Sequence, residues 1–457
     1  MKIQFLGASG TVTGSRYLLS HGETKILLDC GLFQGFKNLR LKNRDPFPVD
    51  LEKLDAVILT HAHIDHSGYV PLLVKNGYRG PIYTTPPTVD LCEIMLPDSG
   101  FLQEEEARFA NLRGFSKHHP ALPLYTMSDA KESLKYFKAV PWGAVTQVSK
   151  GGLGTFEFQF FPAGHLLGAA SVRVKTEGGS IIFSGDLGRS NDPMVRDPEI
   201  PNAADELVVE STYGNRKHPD RDPQEELREI ITRTIQRKGI VLIPSFAVGR
   251  AQLILYYVHR LKEAGQIPRD LPVYLNSPMA AEANKAFAAH MDELKISEAE
   301  LNSLWKSVRV VGTPEESKAL NARTEPAVII AASGMATGGR VLHHLKSIAP
   351  DPKNTILFVG FQAGGTRGDL MVRGAEQVKI HGQYWPIRAE LVNLETFSAH
   401  ADADGILKWI SALKRKPKRV IVTHGEPEAA DALRHRIEEE LGLRALVPEH
   451  GQEFHLH

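Results

Sequence analysis

The feature that most constrains this fold is a run of metal-binding side chains at the end of an apolar strand. Residues 56–59 predict the strand, and His61, His63, Asp65 and His66 follow it. Side chains two residues apart on an extended segment share a face, so His61 and His63 point to the same side. The chain should then turn into a helix, which brings Asp65 and His66 to a second position beside the first. Two adjacent metal sites are therefore predicted, and imidazole with carboxylate suits zinc.

Further ligand-type side chains occur later in the chain, each at or just beyond the end of a predicted strand: His165, Asp186, Glu210, His400 and His424. Asp29 also ends an apolar strand and precedes Cys30. From its spacing alone, Asp29 either orients a metal-bound histidine or caps a turn. A surface loop that happens to be rich in histidine is the alternative to the first motif. The additional strand-end ligands favour a metal site.

Composition sets limits on the partners and the compartment. The 457 residues favour two domains, and 42% hydrophobic with 24% charged residues is typical of a globular protein. Lys plus Arg equals Asp plus Glu, at 54 each, so attraction to a polyanion must come from local charge or bound metal. Two cysteines without zinc-ligand spacing fit a reducing compartment. With no signal-peptide or membrane-helix pattern, we expect a cytoplasmic protein.

A second domain is predicted in the middle of the chain. Between residues 214 and 388, helices alternate with apolar strands, which is typical of an open, mainly parallel α/β sheet. Metal-ligand residues stop at Glu210 and resume at His400. We therefore expect residues 1–213 and 389–457 to form one domain and residues 214–388 to be inserted in it.

The order of these motifs resembles the β-CASP branch of the metallo-β-lactamase superfamily, which comprises nucleases. The HxHxDH motif at residues 61–66 points to the superfamily, whereas three features point to the branch: Glu210, the motif Phe397-Ser398-Ala399-His400, and the motif Val422-Thr423-His424-Gly425-Glu426. The resemblance covers nearly the whole chain. It implies a metallo-β-lactamase αββα sandwich with an inserted β-CASP α/β domain.

The resemblance also implies two zinc ions and a division of roles among the ligands. One zinc would be held by His61, His63 and His165, and the other by Asp65, His66 and His424. Asp186 would bridge the two, and Asp29 would support a ligand from behind. Metal-activated water would attack phosphorus. Asp65, His400 and Glu210 form the implied catalytic set, in which His400 protonates the leaving 3′ oxygen and Glu210 orients the His400 ring.

The expected substrate is RNA. RNA-processing relatives carry a histidine at the position of His424, whereas DNA-specific relatives typically lack it. Loops of the inserted domain resemble substrate-facing loops of the family, and they provide the predicted phosphate-binding residues: Ser245, Arg250, Ser333 and Gly334. We predict endonucleolytic cleavage of single-stranded RNA that leaves 5′-phosphate and 3′-hydroxyl ends, with a homodimer as one option for assembly.

Three alternatives follow from the same residues. A DNA nuclease of the same branch is the nearest, and a catalytically silent RNA-binding subunit is the non-enzyme alternative, although such subunits usually have lost metal ligands. A hydrolase of small esters would use the same ligands but leaves the inserted domain unexplained. Because the chain ends soon after the core motifs, we expect neither the C-terminal domain of larger bacterial ribonucleases nor the N-terminal RNA-binding module of archaeal relatives.

Overall fold

The computed structural model describes residues 1–114 and 118–456. The chain divides into two compact units: unit 1 comprises Met1–Lys217 and His400–His457, and unit 2 comprises His218–Ala399. The predicted insertion ends at residue 388, whereas unit 2 continues to Ala399. The reason is the strand Glu390–Leu394, which pairs in parallel with Thr355–Val359 along five residue pairs in the sheet of unit 2.

Both units are built from strands and helices. The strands are β1 (Lys2–Phe5), β2 (Tyr17–His21), β3 (Thr24–Leu28), β4 (Ala56–Ile58), β5 (Ile82–Thr84), β6 (Phe137–Ala139), β7 (Thr146–Lys150), β8 (Leu153–Pro162), β9 (Ala170–Thr176), β10 (Gly179–Phe183), β11 (Glu206–Glu210), β12 (Ile240–Pro244), β13 (Val273–Asn276), β14 (Arg309–Val310), β15 (Ala327–Ala331), β16 (Thr355–Val359), β17 (Gln377–Ile380), β18 (Gln383–Pro386), β19 (Glu390–Leu394), β20 (Arg419–Thr423), β21 (Ala445–Leu446) and β22 (Glu453–His455). The helices are α1 (Lys37–Leu41), α2 (Ile64–Ser67), α3 (Val70–Lys75), α4 (Pro86–Arg113), α5 (Met127–Ser133), α6 (Pro223–Gln236), α7 (Arg250–Glu263), α8 (Pro278–Ala289), α9 (Glu298–Lys306), α10 (Pro314–Asn321), α11 (Val341–Ile348), α12 (Arg367–Val372), α13 (Ala403–Ser411) and α14 (Pro427–Leu441). Short 3₁₀ turns occur at Lys42–Arg44, Leu51–Lys53, Leu134–Tyr136, Met291–Glu293 and Glu395–Phe397.

Unit 1 contains two seven-stranded sheets. Their orders are β22-β1-β2-β3-β4-β5-β6 and β21-β20-β11-β10-β9-β8-β7. Apolar side chains from both sheets form one core, as Phe5 of β1 and Phe158 of β8 illustrate. Helices α13 and α14 cover the outer face of the second sheet, and α4 lies beside β6 of the first.

The central strands of the second sheet are apolar on both faces because both faces are covered. In β10, Ile181 and Phe183 pack in the core between the sheets, whereas Ile182 packs on the helix side with Ile406 and Leu433. Successive side chains of a strand point to opposite faces, so an uninterrupted apolar run is what a doubly covered strand requires.

Unit 2 is an α/β domain with a six-stranded sheet in the order β14-β13-β15-β12-β16-β19. Neighbouring strands in this sheet pair in parallel. Its helices begin with recognisable caps. At the start of α6, for example, the Asp222 side chain accepts a hydrogen bond from the Gln224 backbone N–H, and Pro223 occupies the first helical position. The predicted fold class, an αββα sandwich with an inserted α/β domain, is confirmed.

Among residues 1–114 and 118–456, no helix is both long enough and apolar enough to cross a membrane.

Candidate metal centre

The strand ends of unit 1 bring the predicted ligands together in two groups. The nitrogen and oxygen ligand atoms of His61, His63, His165 and Asp186 all lie within 4.8 Å of one another. A second group with the same property comprises Asp65, His66 and His424. Asp65 and His66 lie in the short helix α2, while the others follow strands β4, β8, β10 and β20. Segments that are hundreds of residues apart in sequence therefore meet at one place.

The spacing of the ring nitrogens fits a zinc ion in each group. His61 Nε2 lies 3.1 Å from His63 Nδ1, and His165 Nε2 lies 3.2 Å from the same atom. In the second group, His66 Nε2 lies 3.0 Å from His424 Nε2. Tetrahedral zinc with Zn–N bonds near 2.0–2.1 Å holds its ligand atoms roughly 3.3–3.4 Å apart. The nitrogens converge to about the separation that zinc requires.

Asp186 lies between the two groups. Its Oδ2 is 3.5 Å from His61 Nε2 and 3.5 Å from His165 Nε2. Its Oδ1 faces the second group, at 3.2 Å from His66 Nε2 and 3.6 Å from His424 Nδ1. One carboxylate thus presents an oxygen to each group, which is the geometry that a bridging ligand needs.

The protonation states of these buried residues differ between the two groups. Burial lowers the pKa of His61 well below its usual value and that of His63 to about 4, which leaves both rings neutral with a lone pair to donate. Burial also disfavours charge on His66, but the carboxylates of Asp186 and Asp29 raise its pKa well above the usual value. Although burial opposes ionisation of Asp186, its electrostatic interactions with the neighbouring histidine rings hold its pKa well below the usual range. The centre therefore contains an ionised carboxylate.

Asp29 supports the second group from behind. Its Oδ2 lies 2.7 Å from His66 Nδ1, and it accepts a hydrogen bond from Ser15 Oγ at 2.8 Å. Its Oδ1 accepts hydrogen bonds from the Thr60 backbone N–H at 2.9 Å and from the Thr60 hydroxyl at 3.0 Å. A His66 Nδ1–H that donates to Asp29 leaves Nε2 free of a proton for a metal. The geometry matches an orienting role, the first of the two alternatives for Asp29.

Thr60 and Ser15 are functional candidates that sequence reasoning missed. The Thr60 hydroxyl lies 3.1 Å from His61 Nδ1 and also donates to Asp29. It therefore contacts a ligand of the first group and the carboxylate that supports the second. In the sequence, the position of Thr60 directly before the HxHxDH motif is the signal that could have marked it as a functional residue. Ser15 carries no local signal, because its partner Asp29 lies 14 residues later, beyond the hairpin of β2 and β3.

Glu210 and His400 form a separate pair at the edge of the cluster. The Glu210 carboxylate is buried and accepts hydrogen bonds from the backbone N–H groups of Leu187 at 2.7 Å and Thr212 at 3.2 Å. His400 Nδ1 lies 3.0 Å from Glu210 Oε1. The opposite ring nitrogen, Nε2, is 4.0 Å from Asp186 Oδ2. Glu210 thus fixes the imidazole with Nε2 toward the ligand groups, where it can either donate a proton or bind a metal.

The predicted phosphate-binding residues lie in unit 2, on loops and a helix start that follow the carboxyl ends of β12 and β15: Ser245, Arg250, Ser333 and Gly334. Ser245 is buried and its hydroxyl donates to the Phe246 carbonyl at 3.0 Å. Ser333 is half-buried, and its hydroxyl oxygen accepts the Thr337 backbone N–H at 3.1 Å. A Cβ on Gly334 would lie 2.8 Å from the Phe246 nitrogen, so this position requires glycine. The structure brings these residues to one edge of the sheet, with Ser333 more accessible than Ser245.

Three family models match the chain. The metallo-beta-lactamase superfamily model matches residues 10–239, and the Beta-Casp domain model matches residues 251–371. A model described as the Zn-dependent metallo-hydrolase RNA specificity domain matches residues 384–448. Together they span most of both units.

Several named or solved proteins are similar over most of this chain. Ribonuclease TTHA0252 of Thermus thermophilus is 39% identical over 440 residues, which is 95% of each chain. Transcription termination factor FttA of Methanocaldococcus jannaschii is 33% identical, over 93% of this chain and 67% of its own. A solved structure of a protein of unknown function from Enterococcus faecalis aligns over 99% of each chain with a TM-score of 0.52 and 15% identity, which shows a shared fold alone. The chain therefore belongs to the β-CASP branch of the metallo-β-lactamase superfamily, and it is a metal-dependent hydrolase.

Proposed function

We propose that this protein is a zinc-dependent ribonuclease that cleaves single-stranded RNA internally and leaves 5′-phosphate and 3′-hydroxyl ends. The observation that carries the proposal is the pair of ligand groups joined by Asp186, in a chain whose close relative is named a ribonuclease. The RNA specificity model also spans His400 and His424.

The donor set supports two zinc ions. In the proposed assignment, His61, His63 and His165 hold one ion, and Asp65, His66 and His424 hold the other, while Asp186 is shared. Zinc, when bound, would make water nucleophilic near neutral pH and offset charge on the phosphodiester. Because the whole chain is formally neutral, this local positive charge supplies the attraction for a polyanion.

His400 supplies the proton in the proposed reaction. Hydroxide, formed when water loses a proton to the solvent, attacks phosphorus, and the P–O3′ bond breaks. The departing 3′ oxygen takes the Nε2 proton of His400 in its imidazolium form, which leaves a neutral ring with its proton on Nδ1. Glu210 makes this transfer efficient because it accepts the Nδ1–H and so keeps Nε2 directed at the reacting group. The RNA 2′-hydroxyl takes no part, so the 3′ end is a free hydroxyl.

Unit 2 would hold the RNA backbone. Arg250, in the first turn of α7, and Ser333 are proposed to contact phosphate oxygens, with backbone N–H groups near Gly334. Ser245 contributes less, because its hydroxyl is buried and already donates to Phe246. Contacts of this kind position a strand without reading its sequence.

The test is incubation of zinc-loaded protein with end-labelled single-stranded RNA and DNA of matched sequence, with both product ends mapped. We expect internal cuts in RNA, with 5′-phosphate ends, and no cleavage by a His63→Ala variant. Equal cleavage of DNA would support the DNA-nuclease alternative instead. Products with 2′,3′-cyclic phosphate would refute the mechanism, because they require the 2′-hydroxyl as nucleophile.

A further inference from the structure

Unit 2 contains a polar cavity of about 330 Å³ away from the predicted phosphate-binding loops. It lies where α7 ends and where the chain enters β13 and β14. These strands are parallel to β12 and β15, so their starts lie at the opposite edge of the sheet from Ser245 and Ser333. The cavity therefore shares no residue with the metal centre or with the loops assigned to RNA.

The charges around the cavity are unbalanced. Four cationic side chains line it against two carboxylates, those of Glu263 and Asp270, which leaves an excess of two positive charges at neutral pH. The cations are Lys262, Arg269, Lys306 and Arg309. They come from three separate segments, so the cluster is a product of the fold and not a single basic run.

Lys262 is the residue that most clearly indicates an anion-binding role for the cavity. Its side chain is largely buried, at 7% exposure for the whole residue, but its ammonium group is not among the buried polar atoms, and no hydrogen bond or ion pair to that group occurs among residues 1–114 and 118–456. Burial lowers the pKa of Lys262, Asp270 raises it and Arg309 lowers it further. The neighbouring His259 also has a buried Nδ1 without a hydrogen-bond partner in this part of the structure. The Lys262 stem is thus buried while its ammonium group reaches the cavity without a protein partner, which leaves that group available to an anionic ligand.

The size and lining of the cavity indicate the class of ligand. Its volume is in the range of small-molecule sites, about 300–1,000 Å³, which is more than a single phosphate ion fills. The Ser307 hydroxyl and the apolar side chains of Leu271 and Val273 lie beside the cationic group. We propose that this cavity binds a nucleoside monophosphate, with the phosphate on Lys262 and Arg309 and the nucleoside against Leu271 and Val273. This inference does not rest on the proposed nuclease activity.

Calorimetric titration of the zinc-loaded, full-length protein tests the proposal. The metal centre also attracts phosphate, so two classes of site are expected for a nucleoside 5′-monophosphate. Lys262→Met and Arg309→Ala should each weaken binding at the cavity at least about tenfold and leave binding at the metal centre unchanged. Lys285→Met is the matched control, because Lys285 is an exposed lysine of the same unit that pairs with Glu282. Inorganic phosphate should bind the cavity more weakly than the nucleotide does, because it lacks the nucleoside.

Thermal unfolding gives an independent measurement. Without ligand, Lys262→Met should unfold at a higher temperature than the wild type, because methionine keeps the aliphatic packing and removes a charge that partial burial disfavours. With nucleotide, the wild type should gain stability and Lys262→Met should not. If Lys262→Met does not fold, the exposed Arg309→Ala variant decides. Nucleotide binding that both variants retain at wild-type strength would overturn the proposal, and so would equal affinity for inorganic phosphate and nucleotide.

Discussion

Replacement of His400 with alanine distinguishes a proton donor from a metal ligand. Nε2 of His400 is 4.0 Å from the nearest oxygen of Asp186, whereas ring nitrogens of the four histidines His61, His66, His165 and His424 lie 3.2–3.6 Å from an oxygen of the same carboxylate. Its Nδ1 is engaged by Glu210. We therefore expect His400→Ala to keep both zinc ions and to lose general-acid catalysis, which slows cleavage about 10²- to 10⁴-fold. That loss equals roughly 2.7–5.4 kcal/mol of transition-state stabilisation.

The assay is single-turnover cleavage of labelled RNA, with zinc content measured by mass spectrometry on the same samples. A phosphodiester with a nitrophenolate leaving group supplies the second substrate. Because that leaving group departs without a proton, His400→Ala should slow it much less than RNA. His63→Ala is the control for a lost ligand, and it should lose zinc together with activity on both substrates. Glu210→Gln should resemble His400→Ala in kind but with a smaller effect, because it disturbs only the orientation of the ring.

Three results would refute this reasoning. A zinc-depleted His400→Ala protein would make His400 a metal ligand, and a fully active one would leave it without a catalytic role. An equal loss on RNA and on the nitrophenyl substrate would show that proton donation is not what the side chain contributes.

Three further predictions concern the surroundings of the metal centre. Asp29→Asn should weaken zinc binding about 10- to 100-fold, as measured by competition with a chelator, because the charge that orients His66 is lost; unchanged affinity would contradict this role. Carboxylates raise the pKa of His66, so zinc must displace a proton from this ring. Zinc affinity should therefore fall as pH falls, and zinc binding should release protons. Calorimetry in buffers of different ionisation enthalpy measures how many protons are released. The basic run at residues 414–419 should contribute little to RNA binding: Arg419 pairs with Glu206, and Lys416 donates to a carbonyl at the end of α14. If neutralising Lys414 and Lys416 abolished RNA binding but left the unfolding temperature unchanged, the run would be part of the interface.

The local sequence is sufficient to predict the fold class and to nominate the ligands. Strand-end histidines and acids are a local signal, because a short apolar run followed by ligand-type residues specifies both the strand and its functional end. The same holds for unit 2, where apolar strands alternate with capped helices such as α6. The family resemblance implied how the seven ligands divide into two groups, and the structure brings together those same groups.

Tertiary structure alone decides the features that depend on pairing between distant segments. Residue 390 begins a strand in either interpretation, and its membership of unit 2 follows from hydrogen bonds with β16 that no local pattern encodes. The contact of His400 with Glu210 joins residues 190 positions apart, and the support of Asp29 by Ser15 joins the two ends of the β2–β3 hairpin. The cationic cavity around Lys262 combines residues that look like ordinary surface charges in sequence. Folding brings these charges together from three segments and buries the stem of Lys262, and both effects arise only when the chain has folded.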